Sequence, residues 1–191
     1  MKKSNFLKAI VAGLTICSVS AIAQDTNKDK HNIDIKIPEV ALLDIETKAE
    51  RTITFEGKAP TEAGLAVSFG ETPNKDLWLN YSSIVGSKTE KARDVTVQIT
   101  SGIVPSGLTL EVAAEKDAGE GAGTFGTPAG TLVLTSAAQK IITGVGSCYT
   151  GTGPNKGHNL SYLVKLDNAK YGDLDFDQSG TVEVTYTLTD N

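Results

Sequence analysis

Cysteine and histidine are scarce in this chain, with two of each among 191 residues. Cys17 falls in an apolar leader, so Cys148 is the one cysteine left to the remainder, and a single cysteine cannot close an internal disulfide. That excludes a disulfide-stapled scaffold and leaves the fold dependent on its apolar core. His31 and His158 are too far apart in sequence to form a zinc-ligand motif. Aromatic residues make up only 6% of the chain and Trp78 is the single tryptophan, which leaves little material for a stacking platform. Basic residues are outnumbered, 18 against 23 acidic, for a net charge of −5. Nucleic acids and anionic membranes both select clustered Lys and Arg, so the balance argues against either partner. After the leader, no apolar run is long enough to span a bilayer as a helix.

The leader itself has the three parts of a secretory signal. Lys2, Lys3 and Lys8 supply positive charge, Ala9 to Ile16 an apolar stretch, and Ala21-Ile22-Ala23 a small-residue cleavage site. Cleavage between Ala23 and Gln24 is expected, giving a secreted or cell-surface chain that has shed three lysines and is correspondingly more acidic. Lipidation at Cys17 is disfavoured because the preceding residue is the bulky Ile16. The expected organisation is a signal peptide over 1–23, a flexible polar lead-in over 24–32, and one domain over 33–191.

What the rest contains is period-two alternation. Val182, Val184, Tyr186 and Leu188 share one face of the final run, with Thr181, Glu183, Thr185 and Thr187 on the other. Leu160, Tyr162 and Val164 repeat the pattern one strand earlier. Further strands are predicted at 33–37, 40–45, 52–55, 65–69, 77–81, 94–100, 107–113, 131–135 and 140–143, each bounded by Gly or Pro. The runs at 94–100 and 107–113 read as a hairpin across Pro105-Ser106-Gly107, and 136–139 as a short helical turn. Short strands at close spacing without an amphipathic helix predict an antiparallel, Greek-key β-sandwich of about 8–10 strands.

Few residues carry chemistry. Asp175, Asp177 and Ser179 precede Gly180 as at the front of a calcium loop, with Asp173 adding charge outside the register, but the twelfth position, which should supply a bidentate acid, is Tyr186. A solvated turn is the preferred reading, with calcium as the one candidate cofactor. Gly121, Gly123 and Gly126 match G-x-G-x-x-G in letters only, because Pro128 follows and no helix does. Cys148 and His158 could pair as nucleophile and base, but no third orienting group is apparent. Trp78 and Tyr81 could present a sugar-stacking surface, although strand positions usually mean core packing.

The C-terminal third carries Gly144-Val-Gly-Ser-Cys148, Asn159-Leu-Ser-Tyr162-Leu-Val, Tyr171-Gly-Asp-Leu174 and Gly180-Thr-Val-Glu-Val-Thr-Tyr186-Thr-Leu. In these residues it resembles the subunits of spore-coat-U-like coats and chaperone–usher pilins, over roughly a quarter to a third of the exported chain. The resemblance implies a β-sandwich subunit of a surface fibre or coat, completed by a strand from a neighbour. Ile33, Ile35 and Ile37 are the residues such a donor strand would use. The competing and preferred reading makes 33–37 the ordinary first strand of its own domain, since Val40 to Ile45 follows at once. The expectation is therefore a secreted, non-enzymatic structural or adhesive protein that pairs with itself or other surface proteins. The alternative is an extracellular calcium- or carbohydrate-binding module.

Overall fold

A computed structural model describes residues 27–190, so the leader, the Ala23/Gln24 cleavage site and Cys17 lie outside the described residues. The chain divides into two compact units between Lys36 and Ile37. In the first, the described residues 27–36 carry no strand or helix. The second is nearly all β.

Eleven strands follow in order: β1 Val40–Thr47, β2 Asn74–Ile84, β3 Arg93–Ser101, β4 Leu108–Asp117, β5 Ala122–Gly123, β6 Thr127–Pro128, β7 Leu132–Val133, β8 Gln139–Val145, β9 Cys148–Tyr149, β10 His158–Leu166 and β11 Glu183–Asp190. One 3₁₀ helix, Asn168–Asp173, is capped by the Asp167 carboxylate, which accepts from the Ala169 amide at 3.1 Å. Every pairing is antiparallel, within one sheet of seven strands and another of four. The predicted all-β sandwich is what forms.

β2 organises the larger sheet. One of its edges pairs with β1 from Leu77 to Ile84. The opposite edge is shared, by β10 up to Leu79 and by β9 at Ser82 and Ser83. β4 then pairs with the far side of β10, and β7 with β4. The smaller sheet runs β11-β3-β8-β6. Leu77, Leu79 and Tyr81, Leu110, Val112 and Ala114, and Leu160, Tyr162 and Val164 point inward from the first sheet. They meet Val95, Val97, Ile141, Ile142 and Val145 from the second. Burying each large aliphatic side chain contributes about 1.5–3 kcal/mol, which is how a chain with no disulfide among its described residues holds together.

Several expectations need correction. The runs around 94–100 and 107–113 are strands β3 and β4, but they do not form a hairpin. β3 pairs with β8 and β11, whereas β4 pairs with β10 and β7 in the other sheet. The connection crosses between layers past Gly102, where a Cβ would sit 1.9 Å from the Thr181 carbonyl oxygen. Alternation reports which face is buried and is silent about the partner. Residues 52–55 and 65–69 form no ladder beyond the single Lys58–Ser68 bridge. Ile53, Phe55 and Phe69 still pack on the core, so apolar content there marks burial without pairing. Residues 136–139 bend without a helical turn. The Gly-rich stretches, read as plain loops, contribute β5, β6 and β9, each two residues long. Finally, 33–37 is not the first strand of the sandwich; that strand is β1, which starts after Pro38.

Candidate functional site

The isoleucine run sits in extended, unpaired backbone. Ile33, Ile35 and Ile37 are 74%, 84% and 76% exposed. Asp34 and Lys36 alternate with them and are exposed as well. Pro38 cannot donate a ladder hydrogen bond and separates this run from β1. A strand-forming pattern with its apolar side chains in solvent lacks the partner that pattern implies.

The sandwich has a short open edge. Pairing of β10 with β2 ends at Tyr162 opposite Asn74, while pairing with β4 continues to Leu166 opposite Leu108. Over Leu163–Leu166 the β2-side edge of β10 therefore has no neighbour in the ladder. A groove of about 420 Å³ lies there, walled by 163–166 on one side and by 67–71, including Val67 and Phe69, on the other. Lys165 and Glu71 line it, giving one charge of each sign.

A buried polar cluster lies elsewhere in the sandwich. Period two places His158 on the inward face with Leu160, and the imidazole is 1% exposed. It stacks on Tyr81 from β2, with ring centroids 5.5 Å apart. Nδ1 lies 2.7 Å from the Glu115 carbonyl, which only accepts, so Nδ1 carries a proton. Nε2 lies 2.7 Å from the Tyr81 hydroxyl, and that hydroxyl also reaches the Phe125 carbonyl. Burial lowers the His158 pKa; the Glu115 carbonyl, the Asp117 charge and the Phe125 carbonyl act the other way. Burial also pushes the Tyr81 phenol far above its usual range and the Cys148 thiol up to about 11. A thiol so shifted is protonated at neutral pH, and both His158 nitrogens already have partners. The suggested Cys148–His158 pair is thus two buried residues that do not hydrogen-bond to each other, the imidazole facing Tyr81 and the Glu115 carbonyl instead.

Arg93 is a feature that sequence reasoning missed. Its side chain is wholly buried and joins both sheets. Nε donates to Asp190 at 2.7 Å, and Nη2 reaches Glu39 at 2.6 Å and Glu90 at 3.4 Å. Nη1 donates to the Val40 and Ile84 carbonyls at 2.8 and 3.0 Å. Glu90 is held above the usual carboxylate range, first by its hydrogen bond with Glu39, then by the charge of Asp190. Glu39, Glu90 and Asp190 are the only convergent set of metal-capable side chains among the described residues, and the guanidinium occupies their centre.

The other sequence candidates are placed as follows. Asp173 ends the 3₁₀ helix, the Asp175 carboxylate accepts from the Asp177 amide at 3.0 Å, and Ser179 is exposed nearby. The three carboxylates do not converge, and Phe176 between them is 97% exposed. Trp78 and Tyr81 project from opposite faces of β2. Trp78 lies beneath the Lys48 ammonium, 5.9 Å from the ring centre, while Tyr81 is buried, so the two share no stacking surface. Gly121 and Gly123 permit close approach of β5 to β9; a Cβ at Gly121 would lie 1.7 Å from the Tyr149 oxygen. β6 follows them, and no helix does. His31 lies in the exposed 27–36 stretch.

Comparison with protein-family models, curated proteins and solved structures returns no match.

Proposed function

We propose that this chain is an exported, non-catalytic structural subunit of a surface assembly, joined to its neighbours by donation of the Ile33–Ile37 strand. The observation that carries the reading is the exposure of all three isoleucines on backbone that forms no strand among the described residues. Strand addition supplies main-chain hydrogen bonds for affinity and alternate side-chain pockets for register. The open edge of β10 at Leu163–Leu166 is the acceptor that suits it: it can pair with four of the five residues, Val67 and Phe69 offer apolar walls, and Glu71 complements Lys36. In support of the non-catalytic part, the Cys148 thiol is pushed up to about 11 and the His158 nitrogens face the Glu115 carbonyl and the Tyr81 hydroxyl.

Sedimentation velocity on the chain beginning at Gln24 tests this. Concentration-dependent oligomers are expected, and they should vanish when Ile33, Ile35 and Ile37 are all replaced by Ser while the unfolding midpoint stays put. A strictly monomeric chain at high concentration would sink the reading. So would oligomers indifferent to the three substitutions.

A further inference from the structure

The strap formed by residues 121–126 lies over Cys148. A Cβ at Gly123 would come within 2.7 Å of the Cys148 Cα, so strap and strand are in direct contact. Thr124 donates to the Ser147 carbonyl at 3.2 Å and accepts from the Gly146 amide at 3.0 Å. Beyond that short ladder, the Phe125 ring packs on the core and the Phe125 carbonyl accepts from the Tyr81 hydroxyl.

The hydrogen-bond chain from Glu115 through His158 and Tyr81 to Phe125 has three links. Its ends are carbonyls, which accept only, so every link must draw a proton from the imidazole or the phenol. A neutral imidazole gives one, on Nδ1, and the phenol gives one. Two protons cannot make three bonds, so the Tyr81 hydroxyl serves either Nε2 or the Phe125 carbonyl. A proton on Nε2 changes the count. His158 then donates at both nitrogens, and the Tyr81 proton is committed to Phe125. The charged and titratable groups around the ring suit that state. Asp117 from β4 is the carboxylate facing it, with Oδ2 buried and unpartnered. Cys148 from β9 and Tyr81 from β2 are neutral. The 121–126 strap brings no charged side chain, the Glu115 carboxylate pairs with Lys75, and Glu120 pairs with Lys156.

We propose that His158 is a proton-operated latch, whose imidazolium form fastens the 121–126 strap over Cys148 through Tyr81 and the Phe125 carbonyl. Coupling between two sites is reciprocal. With its own proton on the docked Phe125 carbonyl, the Tyr81 oxygen is free to accept from Nε2–H, so a proton on His158 and the docked carbonyl favour each other. Mild acid closes the strap more tightly while lowering the stability of the whole fold, because strap opening and global unfolding are different equilibria.

Native-state hydrogen exchange on the full exported chain reads the latch at the Thr124 amide. Protection there is compared with that of a core amide such as Val112, which reports global unfolding. Between about pH 7.5 and about pH 4.5, covering histidine titration, the free energy of strap opening should rise enough to slow exchange at Thr124 by at least about fivefold after correction for intrinsic rates. In Tyr81→Phe, which keeps the ring and removes the hydroxyl, Thr124 should show no such change. Flat or falling protection in the unsubstituted chain overturns the latch without reference to any variant, and an undiminished rise in Tyr81→Phe overturns the route through Tyr81.

Discussion

Tyr162 of β10 and Tyr186 of β11 join hydroxyls at 2.6 Å, one from each sheet, across the interior. Their rings pack on the core, and their oxygens satisfy each other in a part-buried position. Either Tyr→Phe substitution leaves the partner hydroxyl alone and should cost about 1–3 kcal/mol, whereas the double substitution should cost less than the two single losses combined. Denaturant titration of the four chains measures this. Burial pushes Tyr162 up to about 12 and Tyr186 well above its usual range. Unfolded tyrosine loses its proton near pH 10, so stability is complete below that value and falls as pH rises through the folded values. The fall should be shallower in the double Phe chain.

His158 sets the opposite limb. Burial lowers its pKa, so in acid the unfolded chain binds the proton first. Stability is fully present above pH about 6.5 and is lost as pH falls from there through the lower folded value. In His158→Gln, urea midpoints compared at neutral and mildly acidic pH should show a smaller acid loss than in the parent chain.

Arg93 ties the start of β1 and the end of β2 to β3 and β11. Removing one partner from a buried ionic cluster costs about 3–5 kcal/mol, because the others remain without their counter-charge. Arg93→Met should lose stability on that scale by chemical denaturation, although it keeps most of the apolar stem. Arg93→Lys should recover only part of it, since one ammonium cannot serve Asp190, Glu39 and two carbonyls at once.

The last two long strands are legible because their alternation is strict: Leu160, Tyr162 and Val164, and likewise Val184, Tyr186 and Leu188, pack on the core as their pattern indicates. The same period places His158 inward and leaves it readable as a buried imidazole. Its partners were not readable, because the Glu115 and Phe125 carbonyls are backbone atoms whose approach depends on strand pairing. That pairing is mostly remote in sequence. β1 with β2 is the one consecutive pair of strands that hydrogen-bond, so local turn signals such as Pro105-Ser106-Gly107 mark a crossing between sheets. Arg93 escaped for a related reason. A basic residue at a strand start reads as solvated, and only the meeting of Glu39, Val40, Ile84 and Asp190 makes its burial tolerable. The Ile33–Ile37 alternation predicts a strand, yet the backbone there forms none; alternation reports a side-chain pattern and does not supply the neighbour a strand needs.

The most direct measurement of strand donation is amide exchange at Ile33, Ile35 and Ile37 as a function of protein concentration. If one copy lends this segment to another, these amides exchange freely in dilute solution and become protected as concentration rises, alongside amides of Leu163–Leu166. Equally fast exchange across the whole range, in a chain whose sandwich amides stay protected, would contradict the account.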